Sequence, residues 1–135
     1  MSRNRVLIAD SDDALLAAYR DHLRKEDFTV STARSGLDCL ESLADGTPDI
    51  LVIDSNVLSE LSDGVLAVLS EGDDLPWTRL IVLSNGEGPS ARARLAPVPV
   101  NAWLMKPLSA SALAYNIRRV LSLPAMNDRF VTEWA

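Results

Sequence analysis

The chain is poor in the features that would mark it for an oxidising compartment, a membrane or a nucleic acid. It has one cysteine, Cys39, so no internal disulfide can form; this fits a reducing compartment. No stretch approaches the ~20 consecutive apolar residues that a membrane-crossing helix requires. No apolar run precedes the first strand-like segment, so no signal peptide is expected and the location expected is cytoplasmic. Basic residues are scarce: 13 Lys and Arg stand against 19 Asp and Glu, giving a net charge of −6. That balance argues against nucleic-acid binding by this chain alone. Only two lysines occur, Lys25 and Lys106, which makes the setting of each informative.

What remains is an ordinary globular composition, 47% hydrophobic and 24% charged over 135 residues, enough for one domain with a full core. The densest apolar stretch is Pro48-Asp49-Ile50-Leu51-Val52-Ile53-Asp54. Four apolar residues, three of them β-branched, run without a polar interruption into a carboxylate. Such a run reads as a strand buried on both faces of a parallel sheet. Asp54 at its end is either a cap for the next element or a reactive group on a rigid platform.

The rest of the chain alternates strand and helix. Arg5 to Ala9 is a second apolar strand, ending in Asp10-Ser11-Asp12-Asp13, a cluster of helix caps. Leu15, Leu16, Tyr19 and Leu23 then recur at helical spacing. Phe28 to Thr32 alternates like an edge strand. Ser35 can cap a helix with Leu37, Leu40, Leu43 and Ala44 on one face, closed by Gly46. Beyond Asp54, residues 55–64 are polar without a clear strand, and Val65, Leu66, Val68 and Leu69 predict a helix ending near Gly72. Leu80 to Leu83 is a buried strand stopping at Ser84-Asn85-Gly86. Residues 90–96 predict a short helix that Pro97 and Pro99 must end. Ala102 to Met105 is the last strand, followed by Lys106-Pro107 and a final helix burying Leu113, Ile117, Val120 and Leu121. Beyond Pro124 no period is evident; the tail is a linker stub or a frayed extension that Phe130 and Trp134 can anchor.

Five strand–helix alternations predict an α/β fold, a doubly wound parallel sheet with right-handed crossovers and helices on both faces. In a parallel sheet the strands' C-terminal ends share one edge, where open sheets bind ligands. Four of those ends carry Asp10, Asp54, Ser84 and Lys106. Two carboxylates, a hydroxyl and an ammonium suit phosphoryl transfer: the carboxylates can hold Mg²⁺, and metal and lysine neutralise the moving phosphoryl group. Asp10 and Ser84 are also good turn and cap residues anywhere. Lys106, between an apolar strand and a proline, is less easily a solvated surface lysine.

Val6-Leu7-Ile8-Ala9-Asp10, Pro48 to Asp54, Leu80-Ile81-Val82-Leu83-Ser84 and Trp103-Leu104-Met105-Lys106-Pro107 occur in the order and at the wide spacings of one family. By these motifs the chain resembles the receiver domain of two-component response regulators over about residues 4 to 122, leaving residues 123–135 as the tail. The resemblance implies a flavodoxin-like, five-stranded sheet of order 2-1-3-4-5. It implies that Asp54 accepts a phosphoryl group from a histidine kinase or phosphotransfer protein, and that the state is read by a downstream protein partner. Such a domain is a phosphoacceptor that assists its own phosphotransfer and dephosphorylation rather than an enzyme acting on other molecules. Asp10, Asp54 and the backbone carbonyl of Asn56 would hold Mg²⁺. Ser84 would hydrogen-bond a phosphoryl oxygen and Lys106 would pair with it. Ser84 and Trp103 would form the switch, Trp103 turning inward as Ser84 moves, and Pro107 is a candidate cis-proline. A homodimer through the helix at residues 90–96, the last strand and the last helix is a further implication, against which Pro97 and Pro99 weigh.

The departures from the family pattern are specific. Ser11 stands where the family has the second of two adjacent acids, and a neutral hydroxyl is a poorer Mg²⁺ ligand. Mg²⁺ affinity is therefore expected to be weakened; Asp12, one position further on, is expected to point away, with a rescue by it left open. Leu58 stands where the family favours a proline, and Gly64 arrives ten residues after Asp54 rather than eight. These departures leave open a pseudo-receiver, a binding module that works without phosphorylation. Two other classes fit less well. A dehalogenase-type phosphatase needs a second Asp two residues after the nucleophile, where this chain has Asn56. An FMN carrier needs a hydroxyl- and glycine-rich loop after the first strand, where Asp10 to Asp13 would repel phosphate. Too few residues follow Pro124 for an output domain, so the chain is a stand-alone regulator or a piece of a longer protein.

Overall fold

The computed structural model describes residues 4–59, 64–71, 78–86, 100–123 and 133–134. The strands are β1 (Arg5–Ala9), β2 (Thr29–Ala33), β3 (Ile50–Asp54), β4 (Arg79–Ser84), β5 (Ala102–Met105) and β6 (Glu133–Trp134). The helices are α1 (Asp13–Lys25), α2 (Gly36–Asp45), α3 (Ser55–Ser59), α4 (Val65–Glu71) and α5 (Ala110–Leu121). Every strand pairs in parallel, in the order β2-β1-β3-β4-β5-β6. The first five follow the expected 2-1-3-4-5 arrangement. The sixth is an addition to the expected five-stranded sheet: Glu133 and Trp134 extend it beside Ala102 and Trp103. A helix packed antiparallel on the sheet returns the chain to the edge where strands begin, so a segment after α5 meets the outer side of β5 in parallel orientation.

The strands' period of two sorts their side chains into two cores. Leu7, Ala9, Leu51, Ile53, Leu80, Val82 and Trp103 face α2, α3 and α4. Val6, Ile8, Ile50, Val52, Ile81, Leu83, Ala102 and Leu104 face α1 and α5. β3 lies between β1 and β4, and all five of its residues are buried. That is why its sequence is apolar at successive positions rather than at alternate ones.

Helix boundaries follow local capping. Asp12, Ser35 and Ser109 cap α1, α2 and α5, each accepting the N–H three residues on. The buried faces of α1 and α5 are those the periodicity predicts, through Leu16, Tyr19, Leu23, Leu113, Ile117 and Val120. In α2 the expected face is rotated. Cys39 and Leu43 are buried one turn apart, while Leu37 and Ala44 are exposed. At about 100° per residue, Leu37 projects away from a face centred on Cys39 and Leu43. In α4, Val65 and Leu69 are buried and Val68 is exposed, for the same reason. The helix predicted at residues 90–96, Pro97, Pro99 and Phe130 lie outside the described residues. Among the described residues, no helix is long and apolar enough to cross a membrane.

Two substitutions test how the platform is held. Leu51 is fully buried at the centre of β3, so Leu51→Ala is expected to cost about 2–5 kcal/mol, read as a lower urea midpoint. Asn101 is buried where β5 begins; its Oδ1 accepts the Leu80 N–H at 2.8 Å while its own N–H donates to the Leu80 carbonyl at 2.8 Å. Asn101→Ala strands a buried N–H on β4 and is expected to cost about 1–3 kcal/mol in the same assay. A midpoint equal to wild type would show that this clasp contributes nothing.

Candidate functional site

The parallel sheet delivers four polar side chains to one edge. Asp10 follows β1, Asp54 ends β3, Ser84 ends β4 and Lys106 follows β5. The β4–β5 ladder continues one step past the strands, with the Lys106 N–H donating to the Ser84 carbonyl at 2.9 Å. Lys106 therefore leaves the sheet alongside Ser84 with its stem laid toward β3 and β1. Its Nζ donates to Asp10 Oδ2 at 2.6 Å and to Asp54 Oδ1 at 2.7 Å. Both carboxylates are nearly sealed from solvent, Asp10 at 2% and Asp54 at 3% exposure.

Burial disfavours the charged ammonium, but its hydrogen bonds to both aspartates and their charges outweigh this and raise the Lys106 pKa above its ordinary value. Two carboxylates against one ammonium leave the cluster one negative charge in excess. This is the charge balance that favours a further cation beside it.

Asp54 fills the capping role that the sequence left open, and its second oxygen faces the cluster. Its Oδ2 accepts the backbone N–H groups of Asn56 at 2.9 Å and Val57 at 3.3 Å, so it caps α3, which starts at the next residue. Its Oδ1 accepts Lys106 and also Asn85 Nδ2 at 2.8 Å. The Asn85 amide additionally donates to the buried Ser55 hydroxyl at 3.1 Å. Asn85 is a member of the site that the sequence reading treated only as part of a turn. The available signal was a second polar side chain at the exit of a site-bearing strand. The short α3 was likewise absent from that reading; five residues carry too little periodicity to register.

The other expected residues sit as follows. Asp10 Oδ1 accepts the Asp12 N–H at 2.9 Å, which closes the loop after β1. Asp12 is committed to capping α1, accepting the Leu15 N–H at 3.1 Å, so it is not oriented as a substitute for the missing acid. Ser11 is exposed on the same loop. The Asn56 carbonyl accepts the Ser59 hydroxyl at 3.3 Å. The Ser84 hydroxyl accepts the Gly86 N–H at 3.2 Å in a turn where Gly86 takes a positive φ of 88°. Trp103 is buried in the core with Val57, Leu58, Val65, Leu69 and Val82, so it already occupies an inward position. The Lys106–Pro107 peptide is cis.

Beside the cluster lies a cleft of about 470 Å³ lined by Asp12, Leu15, Tyr19, Asn85, Lys106, Pro107 and Leu108. Tyr19 ties its two walls together, its hydroxyl donating to the Leu108 carbonyl at 2.7 Å. Burial raises the Tyr19 pKa; Lys106 opposes this and Asp10 reinforces it.

The donor set fits Mg²⁺. Two carboxylates converge on one cation, the Lys106 ammonium, and Mg²⁺ commonly takes one or two carboxylates with water and phosphate oxygens. Among the described residues, no group of three or more His, Cys, Asp or Glu side chains is placed to hold a metal by itself. The arrangement thus suits a carboxylate nucleophile whose product charge is shared between a lysine and a divalent ion.

Comparison with known proteins gives the same picture. The family described as the response regulator receiver domain matches residues 6–118. The chain is 31% identical over 127 residues to the response regulator MprA of Mycobacterium ulcerans, covering 92% of this chain and 53% of that protein. It is 32% identical over 127 residues to MprA of Mycobacterium leprae, covering 92% and 54%. The chain thus spans about half the length of the curated relatives it matches. The chemotaxis response regulator CheY4 of Vibrio cholerae superposes with a TM-score of 0.77 at 19% identity, covering 88% of this chain and 99% of that one. A response regulator from Burkholderia pseudomallei, solved with a phosphorylated aspartic acid, a calcium ion and citrate, superposes with a TM-score of 0.67 at 15% identity, covering 90% and 75%. With the family matched across most of its length and the strand order and edge cluster in place, the chain belongs to the response regulator receiver domains of two-component systems.

Proposed function

We propose that Asp54 accepts a phosphoryl group from a histidine kinase or phosphotransfer protein, and that the change is passed to a downstream protein. The observation that supports this best is the Lys106 ammonium held by two nearly buried carboxylates at the shared strand edge. A lysine confined there is placed to neutralise charge that arrives on Asp54.

In the proposed step an Asp54 carboxylate oxygen forms a bond to phosphorus while the donor's P–N bond breaks. The leaving imidazole keeps the bonding pair, and Asp54 becomes an acyl phosphate. The aspartate is oriented beforehand by the two N–H groups at the start of α3, which lowers the entropic part of the barrier. Lys106 stays beside the transferred group and offsets its charge. Ser84, at the end of β4, donates its hydroxyl hydrogen to a phosphoryl oxygen, its oxygen being the acceptor for the Gly86 N–H. Asp10, Asp54 and the Asn56 carbonyl would hold Mg²⁺, which would supply further neutralisation of phosphoryl charge. Trp103, buried against α3 and α4 residues, is placed to register movement of Ser84, since Val82↔Trp103 and Ser84↔Met105 are register partners on adjacent strands.

Mg²⁺ affinity is proposed to be low for a receiver domain. Ser11 is neutral, and Asp12 is held in the α1 cap. Ligand charge count is a main determinant of affinity at such oxygen sites.

Two measurements test the reading. Acetyl phosphate with Mg²⁺ is expected to add one phosphoryl group by intact mass, and beryllofluoride with Mg²⁺ to change tryptophan fluorescence saturably; Asp54→Ala should abolish both. An unchanged mass and a flat titration at high millimolar Mg²⁺ would sink phosphoacceptance and leave a phosphorylation-independent binding module. Separately, Ser11→Asp is expected to lower the Mg²⁺ concentration at half-saturation roughly tenfold; no shift would show that Ser11 does not set the metal affinity.

A further inference from the structure

We propose that Asn85 gates Asp54: its side-chain amide occupies the phosphoacceptor oxygen and must leave before that oxygen can attack phosphorus. The inference rests on the phosphoacceptor reading and identifies the group that limits the step.

A carboxylate has about four lone-pair positions for hydrogen bonds. In Asp54 four donors are present: the Asn56 and Val57 N–H groups on Oδ2, and Lys106 Nζ and Asn85 Nδ2 on Oδ1. A lone pair that attacks phosphorus must first lose its donor. The four differ in how readily they go. The two backbone donors are fixed by the helical start of α3. Lys106 is charged, is held by Asp10 as well, and is the group that offsets the incoming charge. Asn85 is neutral and sits on an exposed residue just past the end of β4. Its departure uncovers Oδ1 on the side of the cleft that Asn85 itself lines with Lys106 and Pro107.

The same loop carries Ser84, whose hydroxyl bonds the Gly86 N–H across Asn85. Movement of Ser84 toward a phosphoryl oxygen breaks that turn contact and carries Asn85 with it. Departure of the amide and arrival of the hydroxyl are then one rearrangement. In the transfer the Asp54 Oδ1–P bond forms, the P–O bond of acetyl phosphate breaks, and acetate leaves with the bonding pair. No further reactant is needed.

The test compares wild type, Asn85→Ala, Asn85→Leu and Asp54→Ala as full chains with acetyl phosphate and Mg²⁺, following intact mass over time. Leucine keeps the approximate size of asparagine without a donor. Asn85→Ala and Asn85→Leu are both expected to take up the phosphoryl group about tenfold faster than wild type, the scale of one hydrogen bond to a charged group, with Asp54→Ala blank. Label appearing in the Asn85 variants but not in wild type would be the same result in its extreme form. Equal or slower uptake in both variants, with wild type labelled, overturns the gate and leaves the phosphoacceptor reading standing. Faster uptake in Asn85→Ala alone overturns the hydrogen-bond gate in favour of bulk. No label in any chain overturns both readings. Urea midpoints are measured alongside, because a purely structural asparagine would lower the midpoint without raising the rate.

Discussion

The contact on which the site depends is the Lys106 ammonium between Asp10 and Asp54. Neither carboxylate has appreciable access to water, and an unpaired buried charge costs several kcal/mol. One lysine meets both, with Nζ–O distances of 2.6 and 2.7 Å. The arrangement requires that β1, β3 and β5 end at the same level, which a parallel sheet provides and an antiparallel hairpin would not. Much of the remaining structure serves that alignment. The uninterrupted apolar run of β3 keeps the central strand inside the sheet. The Asn101 clasp fixes where β5 begins against β4. The Tyr19 hydroxyl fastens the segment after Lys106 to α1.

A second constraint concerns Asp54 itself. One oxygen caps α3 while the other meets Lys106 and Asn85. Capping and reactivity use different lone pairs of one carboxylate, so they need not compete. The cap supplies orientation, and the opposite oxygen keeps the exchangeable donors. In the proposed gate, the reactivity of this fully bonded carboxylate depends on which donor leaves. On that proposal the rate of chemistry at Asp54 follows the exposed loop after β4 rather than the core beneath it. Loops of this kind exchange contacts far more readily than packed strands.

The framework was legible in the sequence because burial on both faces imposes unbroken apolar runs, and β1, β3 and β4 each show one. Their polar stops marked Asp10, Asp54 and Ser84, and the isolated Lys106 completed the set. The order of the strands was not legible from periodicity; it came from resemblance to a family, and the structure has it with a short β6 added. A two-residue strand leaves no period to detect, and β6 shows itself only by pairing with β5. The α2 face was right at Leu40 and Leu43 and wrong at Leu37 and Ala44, because five apolar positions in that helix compete for one core and packing adds Cys39 instead. Asn85 was passed over for a different reason. An asparagine beside a glycine satisfies a turn so well by local rules that its reach across to Asp54 appears only in three dimensions.

Electrostatics at the mouth of the site makes Ser11 more than a missing ligand. Asp10 and Asp54 against Lys106 leave a single excess negative charge, where a second acid at position 11 would add another. Asp12 partly compensates at longer range: its carboxylate caps α1 yet lines the cleft. A carboxylate there would attract a divalent ion through space and repel a phosphoryl dianion by the same field. At low ionic strength such a field acts over roughly 10 Å or more, so the cleft still draws cations toward Asp10 and Asp54. What Ser11 removes is the short-range bond that would retain them. In the proposed reading, metal occupancy is brief, Lys106 is the standing counter-charge, and the balance between the two turns on Ser11, exposed on the β1–α1 loop.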